Sequence, residues 1–85
     1  MTEQPRTMGY GPGERPPFRK GDRVRLIRPI LRADMNGGFD ETIVIPVGMQ
    51  ATVDYCGEIM VRVTFDGWAT SQTHHNFRFE LIEPN

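Results

Sequence analysis

The side chains able to do chemistry in this 85-residue chain are few and scattered. His74 and His75 stand together, and Cys56 is the single cysteine. Two histidines and a thiol invite a metal reading. Adjacent residues of an extended segment leave the backbone on opposite sides, so His74 and His75 do not converge on one ion. Neither a Cys-x-x-Cys nor a His-Glu-x-x-His spacing occurs. A thiol near a histidine also has the makings of a nucleophile pair, yet a lone cysteine at a strand end is more often inert packing. Asp40 with Glu41, and Asp54 with Glu58, are formal acid–base pairs. No motif around them marks either pair for acid–base work, so they read as solubilising charge. Gly9, Gly11 and Gly13 fit no phosphate-binding loop, because no Gly-Lys-Ser/Thr or Gly-x-Gly-x-x-Gly continues them. No metal, cofactor or enzymatic activity is expected.

What remains is binding chemistry. Trp68 follows a Gly67 turn and precedes a small polar loop, which would leave an aromatic anchor accessible. Phe39 sits beside Asn36-Gly37-Gly38 in the long excursion between Pro29 and Pro46. Together with Arg23, Arg25, His74 and His75 they form the expected partner-binding set, with another protein as the expected partner. The alternative partner is nucleic acid, gripped by Arg19, Lys20, Arg28 and the strand arginines, with Tyr10, Phe39 or Trp68 stacked on bases.

Charge separates these alternatives in part. The formal net charge of −1 hides a basic first part and an acidic remainder. Residues 1–32 carry eight basic side chains against three acidic, a net of +5; residues 33–85 carry two against eight, a net of −6. Nine of the ten basic residues are arginine, which pairs bidentately with carboxylate or phosphate. The acidic remainder disfavours a broad nucleic-acid surface and favours protein docking.

These residues need a frame. A chain of this length makes one small domain that buries roughly 60% of its unfolded surface, too little for a deep catalytic cavity. One cysteine makes no internal disulfide. No apolar run approaches the roughly 20 residues that span a bilayer, and no apolar leader begins the sequence, so a soluble cytoplasmic protein is expected. Prolines and glycines dominate residues 1–17, which read as a disordered arm; the domain is 18–85. Val24 and Leu26 alternate with Arg23 and Arg25 in a first strand that Pro29 ends. The excursion reads as an irregular hairpin over one end of the domain, with Ile43 and Ile45 as core or cover and Phe39 partly exposed.

The organising stretch is Val47–Phe65. Ala51, Val53 and Tyr55 lie on one side of its first run, and Val61, Val63 and Phe65 on one side of its second. Period two marks half-buried strands, and Cys56-Gly57-Glu58 supplies the reversal between them. All six side chains are expected to face the core. Residues 69–73 read as a polar loop. Phe77, Phe79 and Leu81 alternate in a closing strand, with a 3₁₀ turn possible before it.

Lys20-Gly21-Asp22-Arg23-Val24-Arg25-Leu26, a long loop, Pro46-Val47-Gly48, the run Val61–Gly67 and a closing Phe79-Glu80-Leu81-Ile82-Glu83 together resemble an all-β SH3-like barrel of about five strands. Within that class the order resembles the group that holds the E subunit of photosystem I, the SH3-like ferredoxin-docking subunits and the C-terminal domain of the nitrile hydratase β-subunit. The likeness spans about residues 18–84. It implies an accessory or docking domain.

Overall fold

Strand β1 (Arg23–Leu26) is hydrogen-bonded on both sides, to β4 (Gln50–Cys56) and to β7 (Phe79–Glu83). The computed structural model describes residues 16–85 and shows a mostly β domain built on one five-stranded antiparallel sheet. Val24 stands opposite Ala51 on one side and Leu81 on the other, and Leu26 opposite Phe79. β4 pairs with β5 (Met60–Phe65), and β5 with β6 (Gln72–His75), giving the order β6-β5-β4-β1-β7. Alternation puts Val24, Leu26, Ala51, Val53, Val61, Val63 and Phe65 on the inner face, all essentially inaccessible, as the period-two pattern predicts.

The excursion after β1 holds a small ribbon, β2 (Ile30–Leu31) with β3 (Ile43–Ile45), and a helix, α1 (Arg32–Asn36). Ile30 and Ile45 join the core, whereas Ile43 is exposed, because only one end of this ribbon lies against the sheet. The helix was not expected; five residues are too few to write a 3.6-residue period into a sequence. Asp34 starts it by accepting the Leu31 backbone N–H at 2.7 Å. Gly37 ends it at φ +77, a conformation that carries no steric cost only for glycine, with its N–H on the Ala33 carbonyl at 2.8 Å.

The arm expectation falls mainly outside the described residues, Tyr10 with it. At its end Pro17 is buried, next to the buried Phe18. Asp22, 1% exposed, holds this corner by accepting the Arg19 N–H at 2.9 Å and the Asn85 N–H at 2.8 Å.

Two expectations about the second half change. Residues 72–75 form a strand instead of continuing the loop; its inward residue is a histidine, so no apolar alternation announces it. Tyr55 is 62% exposed and does not join the core. Val53 pairs with Val63 but Tyr55 pairs with Arg62, which leaves Asp54 as an extra residue in a β-bulge. The bulge reverses parity: Tyr55 turns outward and Cys56, opposite Val61, packs against the core. Among the described residues no helix is long and apolar enough to cross a membrane.

His74 enters the core from β6, its ring 6.3 Å from those of both Phe65 and Phe79 and its Nε2 2.9 Å from Gln72 Oε1. Burial, and then the Arg78 cation, push its pKa below the usual histidine value. The unfolded chain therefore takes up a proton at higher pH than the native one, and stability falls as pH drops below about 6.5 towards the folded value. Asp40 and Asp66, with pKa values lowered from the ordinary range, stay ionised across that window. Urea denaturation should show lower stability at about pH 5 than at about pH 7, and His74→Gln should flatten the difference; an unchanged slope in the variant would refute the assignment.

Candidate docking surface

The outward face of the sheet divides into a finished part and an unfinished part. The finished part runs over β7, β1 and the start of β4. Arg23 makes a bidentate pair with Asp66, both bonds 2.7 Å, and donates to Thr52 Oγ1 at 2.9 Å and Gln50 Oε1 at 3.1 Å. That pairing holds the Asp66 carboxyl below its usual pKa and raises that of Arg23. Arg25 pairs with Glu80 on the neighbouring strand. Thr64 donates to Asp54 at 2.7 Å. Both strand arginines expected to contact a partner are thus engaged within the molecule.

Two further arginines are consumed in the excursion. Arg32 lies 3.5 Å from Asp40, and Arg78 donates to Asp34 at 2.9 Å and to the Pro29 carbonyl at 3.0 Å. The latter bonds tie α1 to the 3₁₀ turn Asn76–Arg78. Of the cations set aside for nucleic acid, Arg19, Lys20 and Arg28 have no carboxylate partner among the described residues. They flank opposite ends of β1: the Arg19-Lys20 turn precedes it, and Arg28 follows it and lies over the Phe77 ring, 5.1 Å from its centroid.

The unfinished part lies at the β4–β5 turn. Here a groove of about 510 Å³ is lined by Tyr55, Glu58, Ile59, Met60, Arg62 and Thr73, with Gly57 at its lip. Tyr55 and Ile59 are about 60% exposed, and Met60 is also accessible. Tyr55 stands opposite Arg62, and Arg62 opposite Thr73, so one row of three strands forms the floor. Arg62 has no carboxylate partner among the described residues. Met60 pairs with His75, whose ring stacks on Phe77 at 5.1 Å, so the apolar surface continues towards the 3₁₀ turn.

Asn76 fixes the lip. It is 4% exposed, and its Nδ2 donates to the carbonyls of Gly57 and Glu58, each at 3.2 Å. Its own N–H donates to the Ile59 carbonyl at 2.8 Å, and its Oδ1 lies 3.6 Å from the Cys56 thiol. One buried amide therefore holds all three turn residues.

The expected site residues do not gather. Trp68 is half-buried against the core, its ring 5.5 Å from that of Phe65. His74 is a core residue, while His75 lies outward beside Met60, as opposite sides of an extended segment require. Among the described residues no three His, Cys, Asp or Glu side chains form a metal-binding group. Phe39 stands alone at the tip of the excursion, 99% exposed rather than partly so. Tyr55, Ile59, Met60 and Arg62 were missed. The apolar Ile59-Met60 pair directly after a turn was the available signal.

Asn76→Ala should cost about 2 kcal/mol by removing the two bonds from its Nδ2 to the buried side of the turn. Urea denaturation measures that loss, and faster hydrogen exchange confined to residues 57–60 would mark the lip as its source; an unchanged stability would show that the turn holds itself.

Comparison with family models, with characterised proteins and with solved structures finds no match, so the surface is read from its own geometry.

Proposed function

We propose that this protein is a non-enzymatic docking module that binds a protein partner through the groove at the β4–β5 turn. The observation that carries the reading is the division of the outer face. Arg23, Arg25, Arg32 and Arg78 already have carboxylates, whereas Tyr55, Ile59 and Met60 keep apolar surface in contact with water. Phosphate binding needs cations free to release counterions into solution. Apolar side chains around one unpaired arginine suit a protein segment instead.

The strand order and the long excursion after β1 support the resemblance to SH3-like barrels, and with it an accessory role. Fold alone does not choose among docking partners. In this reading Trp68 buttresses the domain, and the contact surface is Tyr55, Ile59, Met60, Arg62 and the neighbouring His75. Nucleic acid is the competing partner, with Arg19, Lys20, Arg28 and Arg62 as its cations.

Affinity capture with the wild-type chain and with Tyr55→Ala/Met60→Asp, from the cells that make the protein, tests the reading. Both side chains are accessible, so the double variant keeps its fold by circular dichroism and loses the partner. Retention of the same partner at equal yield would remove the groove from the interface. A fluorescent mixed-sequence oligonucleotide provides the opposing arm: tight binding at low salt that weakens steeply with added salt would favour nucleic acid.

A further inference from the structure

Phe39 is the most exposed large apolar side chain among the described residues, and the excursion holds it out on purpose-built backbone. Gly37 and Gly38 both have positive φ, and a side chain added at either would meet nothing within 4 Å. Asp40 fixes the far side of the tip, accepting from the Thr42 N–H at 2.9 Å and from its hydroxyl at 2.6 Å, with Arg32 at 3.5 Å. Glu41, next in sequence, is exposed and has no cationic partner among the described residues. The tip therefore presents one aromatic ring followed by one uncompensated carboxylate.

The groove presents the converse. Its apolar walls are Tyr55, Ile59 and Met60, and it carries the Arg62 cation, which has no carboxylate partner among the described residues, together with the Glu58 carboxylate. Phe39 does not occupy the groove of its own molecule, since it is 99% exposed. We infer that the Phe39-Asp40-Glu41 tip of one copy docks in the Tyr55–Met60–Arg62 groove of a second copy of this chain. This inference rests on the docking reading above and names the occupant. The ring lies against Tyr55, Ile59 and Met60, and the Glu41 carboxylate meets Arg62. Glu58 also lines the groove and opposes a carboxylate, so it limits the affinity and requires the incoming acid to lie on the Arg62 side.

Knob and groove are different surfaces, so the contact is directional and copies add head to tail. One aromatic ring and its neighbours bury far less than the roughly 1,200 Å² of a standard stable interface, which makes the association weak and concentration-dependent.

Sedimentation velocity of the full chain at rising concentration tests this. The wild type should shift to larger species as concentration increases towards about 1 mM. Phe39→Ala and Tyr55→Ala, both at exposed positions, should each weaken association about 30-fold, the loss expected of an interface anchor. The decisive arm mixes the two variants. One retains the groove and the other retains the tip, so an equimolar mixture should form 1:1 dimers that neither makes alone and should grow no further. Arg62→Glu should also dissociate the wild-type species, and combining it with Glu41→Arg should restore them. Glu58→Gln should strengthen association. A chain that stays monomeric throughout, association indifferent to Phe39→Ala, or a mixture that behaves as its separate parts would each overturn the inference. If the chain is monomeric but groove variants still lose a captured partner, the second copy is excluded and the docking reading stands. If the chain associates through the tip while groove variants associate as strongly as the wild type and keep every captured partner, the tip docks elsewhere and both the inference and the docking reading fall.

Discussion

One inserted residue, Asp54, decides which way the side chains of the central hairpin point beyond Val53. Before it, β4 and β5 alternate in step, and Ala51, Val53, Val63 and Phe65 fill the core. After it, the parity of β4 is reversed. Without the insertion Tyr55 would be driven into a core already filled to contact, and Cys56 would face water. With it, the smaller thiol takes the inner place opposite Val61 and the phenol joins Arg62 outside. The aromatic floor of the groove is thus a by-product of how the core is packed. Bulges commonly re-aim a side chain in this manner, and the Thr64 hydroxyl on the Asp54 carboxylate keeps this one in place.

Around that hairpin the chain uses long-range polar bonds to join pieces that apolar packing alone would leave loose. Arg78 links the 3₁₀ turn to α1 and Pro29, Asn76 links the same turn to the β4–β5 lip, and Asp22 links Asn85 to the start of β1. Each spans more than fifteen residues of sequence. Buried or half-buried amides and guanidinia of this kind add modest stability but restrict the geometry, since their partners fit only one arrangement. The lip of the groove inherits its shape from Asn76.

The core strands were legible because their apolar residues alternate: Val24 with Leu26, Ala51 with Val53, and Val61 with Val63 and Phe65. β6 was not, since its single inward residue is His74, polar by composition and apolar only by position. α1 was hidden by its brevity. The bulge left no mark, because Asp54-Tyr55-Cys56 reads as an unbroken alternation. The ion pairs were hidden by distance: Arg23 meets Asp66 across 43 residues, and Arg25 meets Glu80 across 55. Without those partners the strand arginines look available, and Trp68 looks freer than its contact with Phe65 allows. Phe39, by contrast, was visible from its glycines alone, although its full exposure was not.

The pairing of Arg23, Arg25, Arg32 and Arg78 also shapes what the molecule looks like from afar. Salt screens an exposed charge over a Debye length, roughly 8 Å in physiological salt, and a cation held against an anion leaves only a dipole, whose field falls off faster still. The described residues carry eight lysine and arginine side chains, and four of them are muted in this way. These four pairs therefore add little to the field of the molecule beyond close range. Under the proposed docking they contribute no steering to encounter, and selectivity lies more in how long a complex lasts than in how fast it forms.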